Sequence, residues 1–142
     1  MSDLQERNKE AVRVFFREIW CEHDESAIDR YVAADAAGND PDFGIGRESF
    51  RKQWKKWLIG FPDICLSVEE LVAEGDTVVS RWTLTGTHTG PFLGVEPTGK
   101  RVKVSGMSLD HLKDGVVVAG CDGWDALGLR QQLGIIPADP KD

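Results

Sequence analysis

Leu4, Val12, Phe15, Phe16, Ile19 and Trp20 recur at helical spacing between Asp3 and Trp20, with Arg13, Arg17 and Glu18 on the opposite side. This pattern predicts an amphipathic helix. Asp24 stands where an N-cap is needed for a shorter helix carrying Ile28, Tyr31 and Val32. Ala36 to Gly46, with three glycines and Pro41, reads as loop. Arg47 to Ile59 then puts Phe50, Trp54, Trp57 and Leu58 on one face, and Gly60 is a natural stop.

After these three helices the apolar period changes from helical spacing to alternation. Ser67 to Ala73 leads through Glu74-Gly75-Asp76 into Thr77 to His88, where Val78, Ser80, Trp82 and Leu84 share one face and Val79, Arg81, Thr83 and Thr85 the other. A loop from Thr89 to Gly99 holds two prolines and three glycines. Lys100 to Leu112 and Val116 to Trp124 flank Lys113-Asp114-Gly115, whose Asp-Gly is a strong hairpin signal. Asp125 caps a short closing helix over Ala126 to Leu133, before Gly134 and Pro137.

Helices first and antiparallel strands afterwards predict an α+β domain spanning residues 1–142, with three N-terminal helices, a short C-terminal helix and a curved antiparallel sheet of four strands. Helices across the open side of such a sheet make a cone with a pocket inside. Both strand faces carry apolar residues that one helical layer cannot cover, so the outer face is expected to meet a second copy in a homodimer.

Composition narrows the choice of function. The chain has 142 residues, 17 Lys and Arg against 24 Asp and Glu, and a net charge of -7. No basic cluster exceeds Lys55-Lys56, which disfavours nucleic acid as a partner. Cys21, Cys65 and Cys121 are odd in number, far apart and without a Cys-x-x-Cys spacing. They predict no disulfide, no zinc site and a reducing cytoplasm. No stretch approaches the roughly 18 apolar residues of a membrane span. Nucleotide-binding glycine loops, His-Glu-x-x-His and a Ser-His-Asp order are all lacking, so metal and cofactor chemistry find no motif.

One acid lacks a structural explanation. Val116 to Trp124 is a β-branched run ending in Asp122, whose neighbours Ala119, Gly120, Cys121 and Gly123 are small. A lone polar group in such a setting costs roughly 2 to 7 kcal/mol unless it is exposed, paired or useful. Facing an apolar cavity, it is a candidate acid or base; facing solvent, it is an ordinary strand end. Arg81 offers paired donors to an oxyanion if it points into the cone, and is a solvated or interface residue if it does not. Trp20, Trp54 and Trp57 are core residues by default and ring-binding walls in a pocket. Asn39 and Asp42, in the glycine-rich loop before the third helix, are solvated turn residues by default and substrate contacts if that loop reaches the mouth of the cone. His88, between glycines at a strand end, reads as a loop anchor before it reads as a base.

Phe61-Pro62-Asp63, Glu70 to Asp76, Arg81-Trp82-Thr83, Gly86 to Gly94, Pro97 to Lys100, Asp114-Gly115 and Gly128 to Gly134, in that order, resemble the SnoaL-like polyketide cyclase family over nearly the whole chain. The resemblance implies the cone fold of the nuclear transport factor 2-like superfamily, shared with ketosteroid isomerase, scytalone dehydratase and limonene epoxide hydrolase. It implies a cofactor-free intramolecular aldol condensation on a polycyclic polyketide, with the acid/base aspartate at Asp122 and the strand arginine at Arg81. Two departures matter. Ser108 stands where the aldol cyclases carry a histidine, and Ala119-Gly120-Cys121 replaces a Glu-His-Trp-like segment. Thr83 also replaces an acid that epoxide hydrolases need. The expected function is therefore a polyketide cyclase, with Ser108 in the substrate site. The alternatives are a hydroxylase-type relative working with a separate pathway reductase, and a dimeric small-molecule-binding module without chemistry.

Overall fold

The computed structural model describes residues 2–38 and 44–137. Helix α1 (Ser2–Phe15) runs directly into a π-helical turn (Phe16–Cys21), followed by α2 (Glu25–Tyr31), strand β1 (Val32–Gly38) and α3 (Arg47–Gly60). The remaining elements are β2 (Cys65–Glu74), β3 (Thr77–Thr87), β4 (Arg101–Lys113), β5 (Val116–Trp124) and α4 (Ala126–Gln132). The sheet order is β1-β5-β4-β3-β2. The fold is the α+β cone expected, with one strand more than the alternation predicts.

That extra strand corrects the boundary set by the sequence pattern. Val32 to Gly38 leaves the helix and pairs parallel with β5, so the sheet is mixed rather than wholly antiparallel. Val32-Ala33-Ala34-Asp35-Ala36-Ala37-Gly38 has no alternation and little β-branching. Its extended form is imposed by pairing with the free side of β5, a tertiary effect that overrides weak local propensity. The other three pairings are antiparallel.

The caps read from sequence are present. Asp24 accepts a hydrogen bond from the Ser26 amide at 3.0 Å and Asp125 from the Gly128 amide at 2.8 Å. The core lies between the helices and the inner face of the sheet, where Val78, Trp82, Leu84, Val102, Val104 and Leu112 meet Val12, Phe16, Ile19 and Ile28. Trp54 is buried in it, its Nε1 donating to the Ile19 carbonyl at 2.9 Å.

Cys21 and Cys65 form a disulfide between the end of the π-helical turn and the start of β2. This corrects the expectation of three free thiols and removes the ground on which a reducing compartment was inferred. The cysteines are 44 positions apart, a separation that carries no pairing signal until the fold brings the two elements together. Cys121 is free and exposed. Among the described residues no helix is long and apolar enough to cross a membrane.

Candidate active site

Alternation decides which side chains enter the cone. In β3 the buried face is Val78, Ser80, Trp82, Leu84 and Gly86. In β4 it is Val102, Val104, Gly106, Ser108, Asp110 and Leu112. Helical aromatics cover this face, and together they line a cavity of about 120 Å³ that opens to solvent at its mouth.

The walls are mostly rings. Phe15, Phe16, Trp20, Phe50, Trp57, Trp82 and Trp124 line the cavity. Trp57 packs 4.6 Å from Phe92 and 5.5 Å edge-on from Trp124, and Trp20 lies 6.0 Å from Phe50, so each ring is oriented by a neighbouring ring. Trp82 lies across Gly106, where any Cβ would collide with its indole, and its Nε1 donates to Ser108 Oγ at 2.9 Å. The polar side of the cavity is small. It consists of Ser108, Asp110 and Asp122, with the buried Ser80, opposite Ser108, on the same face of β3.

Asp122 stands directly opposite Ser108 in the β4–β5 register, lines the cavity and reaches solvent at its rim. The carboxylate singled out in the sequence therefore faces the pocket. Arg81 does not, which corrects the expectation that it enters the cone. It sits on the outer face of β3 and pairs with Glu70, its neighbour across β2, at 3.0 Å. The reason is parity: Arg81 lies one residue from both Ser80 and Trp82, and those two point inward. Trp20, Trp57 and Ser108 line the cavity as expected, whereas Trp54 lies behind it, held by its bond to Ile19. Asn39 and Asp42 fall outside the described residues.

The acid that sequence reading passed over is Asp110. It is only 7% exposed, lines the cavity, and has no hydrogen bond or ion pair to its carboxyl among the described residues. Burial pushes that carboxyl up to about 8, and the nearby charge of Asp122 pushes the same way. At neutral pH Asp110 is thus mostly the neutral acid. Gly120 faces it across the strands, and a Cβ there would come within 2.9 Å of Asp110 Oδ1. The small residue makes room for the acid. The signal was present in the alternation, because Asp110 shares parity with Val102, Val104 and Leu112.

The histidines lie off the cavity. His88 is buried, and its Nδ1 accepts from the Thr98 amide at 3.1 Å, pinning the loop that joins β3 to β4. His23 Nε2 donates to the Ile64 carbonyl at 2.6 Å, and His111 Nδ1 contacts the Thr77 hydroxyl at 3.0 Å. Among the described residues no group of three His, Cys, Asp or Glu side chains is placed to hold a metal ion.

The fold is thus a cone-shaped α+β domain with an aromatic cavity into which two carboxyls face. The chain belongs to the SnoaL-like polyketide cyclase family, whose model matches residues 10–133. Among solved structures it is similar to AclR of Streptomyces galilaeus, assigned as a hydroxylase, at 32% identity over 96% of this chain and 85% of that one, with TM-score 0.83. A protein from Acidithiobacillus ferrooxidans assigned to the polyketide cyclases matches at 30% identity over 91% of this chain and 95% of that one, with TM-score 0.82. TsrD of Streptomyces laurentii matches at 28% identity over 92% and 96%, with TM-score 0.82. No curated protein matches the sequence.

Proposed function

We propose that this protein is a cofactor-free cyclase that closes a ring on a polycyclic aromatic polyketide by intramolecular aldol addition, with Asp122 as the base. The observation that carries the reading is the placement of Asp122 on the wall of an aromatic cavity in a chain of the polyketide cyclase family. Ring-lined walls bind flat, conjugated substrates through stacking and edge contacts. A carboxylate at the rim is suited to take the acidic proton of a carbon between two carbonyls.

The electrostatics of the wall select the substrate's charge. Its described lining holds two acids and no Lys, Arg or His. A free carboxylic acid would enter such a cavity as an anion without a counter-charge, which is unfavourable in a low-dielectric site. The natural substrate is accordingly neutral, with an ester or amide in place of a terminal carboxylate. The outer sheet face, where Val72 and Met107 are 63% and 51% exposed, favours a second copy of this chain as its cover.

The test is turnover of a tricyclic anthraquinone carrying a 1,3-dicarbonyl side chain as its methyl ester, followed by chromatography and mass spectrometry. Wild type is expected to give an isomer of unchanged mass, and Asp122→Asn to lose on the order of 10²-fold or more in kcat with its melting temperature kept. A fully active Asp122→Asn variant rules out Asp122 as the base. The likeness to AclR supports a second reading, hydroxylation with a separate reductase. A product heavier by one oxygen, formed only with air and a reductant, would establish that reading instead.

A further inference from the structure

We propose that Asp110 is a second catalytic carboxyl, which keeps a proton inside the cavity and delivers it to the substrate oxygen where negative charge develops. The assignment rests on the cyclase reading for its reaction and on the geometry for its residue. Asp110 lies on the inner face of β4 with Ser108, and Asp122 lies on the same face of β5, one diagonal step across the pair. Diagonal neighbours in an antiparallel pair are roughly 7 Å apart, close enough to flank one bound molecule.

A structural role does not account for Asp110. No hydrogen bond or ion pair among the described residues compensates its burial, and an aliphatic side chain would fill the same place at less cost. Gly120 leaves open the space into which the carboxyl projects. Asp122 is the one ionisable side chain that faces it among the described residues. Every other lining residue, from α1, the π-helical turn, β1, α3, β2 and β3, is aromatic, aliphatic, glycine or serine. Two carboxyls in unequal surroundings, one buried and one at the rim, differ in how readily they ionise, burial holding Asp110 toward the neutral acid, and this separates the acid from the base.

The proton balance is complete with these two groups. The Asp122 carboxylate takes the proton from carbon, and the C–H electron pair becomes the enolate. The enolate carbon bonds to the second carbonyl carbon, the C–O π pair moves to its oxygen, and that oxygen takes the proton of Asp110. The proton on Asp122 then returns to Asp110, restoring both groups without a co-reactant. Ser108 stands where the resemblance places a histidine, so the neutral acid one turn of alternation away supplies the donor that the serine cannot supply as a cation.

Two measurements decide the assignment independently of any turnover. Carboxyl ¹³C NMR of aspartate-labelled protein, with Asp110→Asn to identify the resonance, should place the Asp110 midpoint far above the ordinary carboxylate range, and Asp122→Asn should lower it without normalising it. Binding of 2-naphthol, a planar probe with one acidic oxygen, should weaken at least about tenfold in Asp110→Leu and stay within a few-fold in Asp110→Asn, whose amide can still donate. An ordinary midpoint overturns the proposal. So does naphthol binding that is absent or indifferent to Asp110→Leu. If both measurements succeed while the anthraquinone ester is not turned over, the proton donor stands and the cyclase reading falls.

Discussion

Replacing Asp110 with Asn tests the buried acid through stability alone. The native carboxyl titrates near 8 against an ordinary 3.8, a difference of about four units, and each unit corresponds to about 1.4 kcal/mol between the two protonation states. Between those values the native state holds a proton that the unfolded chain has released. Stability therefore falls as pH rises, by about 1.4 kcal/mol per unit for this one group. The contribution is full below the unfolded value, lost progressively up to about pH 8, and flat beyond it. Asn has no such proton, and the other titrating groups are common to both proteins. Urea unfolding of wild type and Asp110→Asn between about pH 5 and pH 9 should give a stability difference that moves in favour of the variant by on the order of 4 kcal/mol before levelling. Because Asp110 is nearly fully buried, solvent screening removes little of this. Parallel stability curves would refute the reasoning, since they would mean that Asp110 ionises in the native protein as easily as in the unfolded chain.

Three further outcomes follow from the geometry. Arg81→Ala should leave turnover within a few-fold of wild type and change stability by at most about 1 kcal/mol in thermal or urea unfolding, because its pair with Glu70 is open to solvent. Reduction of the Cys21–Cys65 bond, or the Cys21→Ser variant, should cost up to about 4 kcal/mol, the chain-entropy value for a loop of this length, read as a shift in urea midpoint. Met107→Arg should convert dimer to monomer in analytical ultracentrifugation if the outer sheet face is the interface, and an unchanged sedimentation coefficient counts against that face.

Most of the architecture was legible because the apolar periods are long and bounded by turn signals. The β3–β4 and β4–β5 pairings follow from alternation and from the Asp-Gly turn at 114–115. Asp125 was legible as a cap, and that left Asp122 as the acid in need of another explanation. β1 was not, because an alanine-rich segment becomes a strand only when β5 offers an unpaired side. The disulfide was hidden for a similar reason, since its partners meet only in three dimensions. Arg81 and Asp110 are a different case. Their parity within β3 and β4 already places the first outside and the second inside.

The parallel pairing of the first strand has a consequence of its own. β1 meets β5 at Gly38 opposite Gly120, and Gly120 in turn stands opposite Asp110 on β4. The glycine that leaves room for the buried carboxyl is thus clasped by a strand on either side, in the interior of the sheet and not at its edge. Neighbours on both flanks keep that clearance from collapsing, so the scaffold itself holds the niche of the acid open. A side chain at position 120 would have to be absorbed by Asp110, since a Cβ there comes within 2.9 Å of its Oδ1.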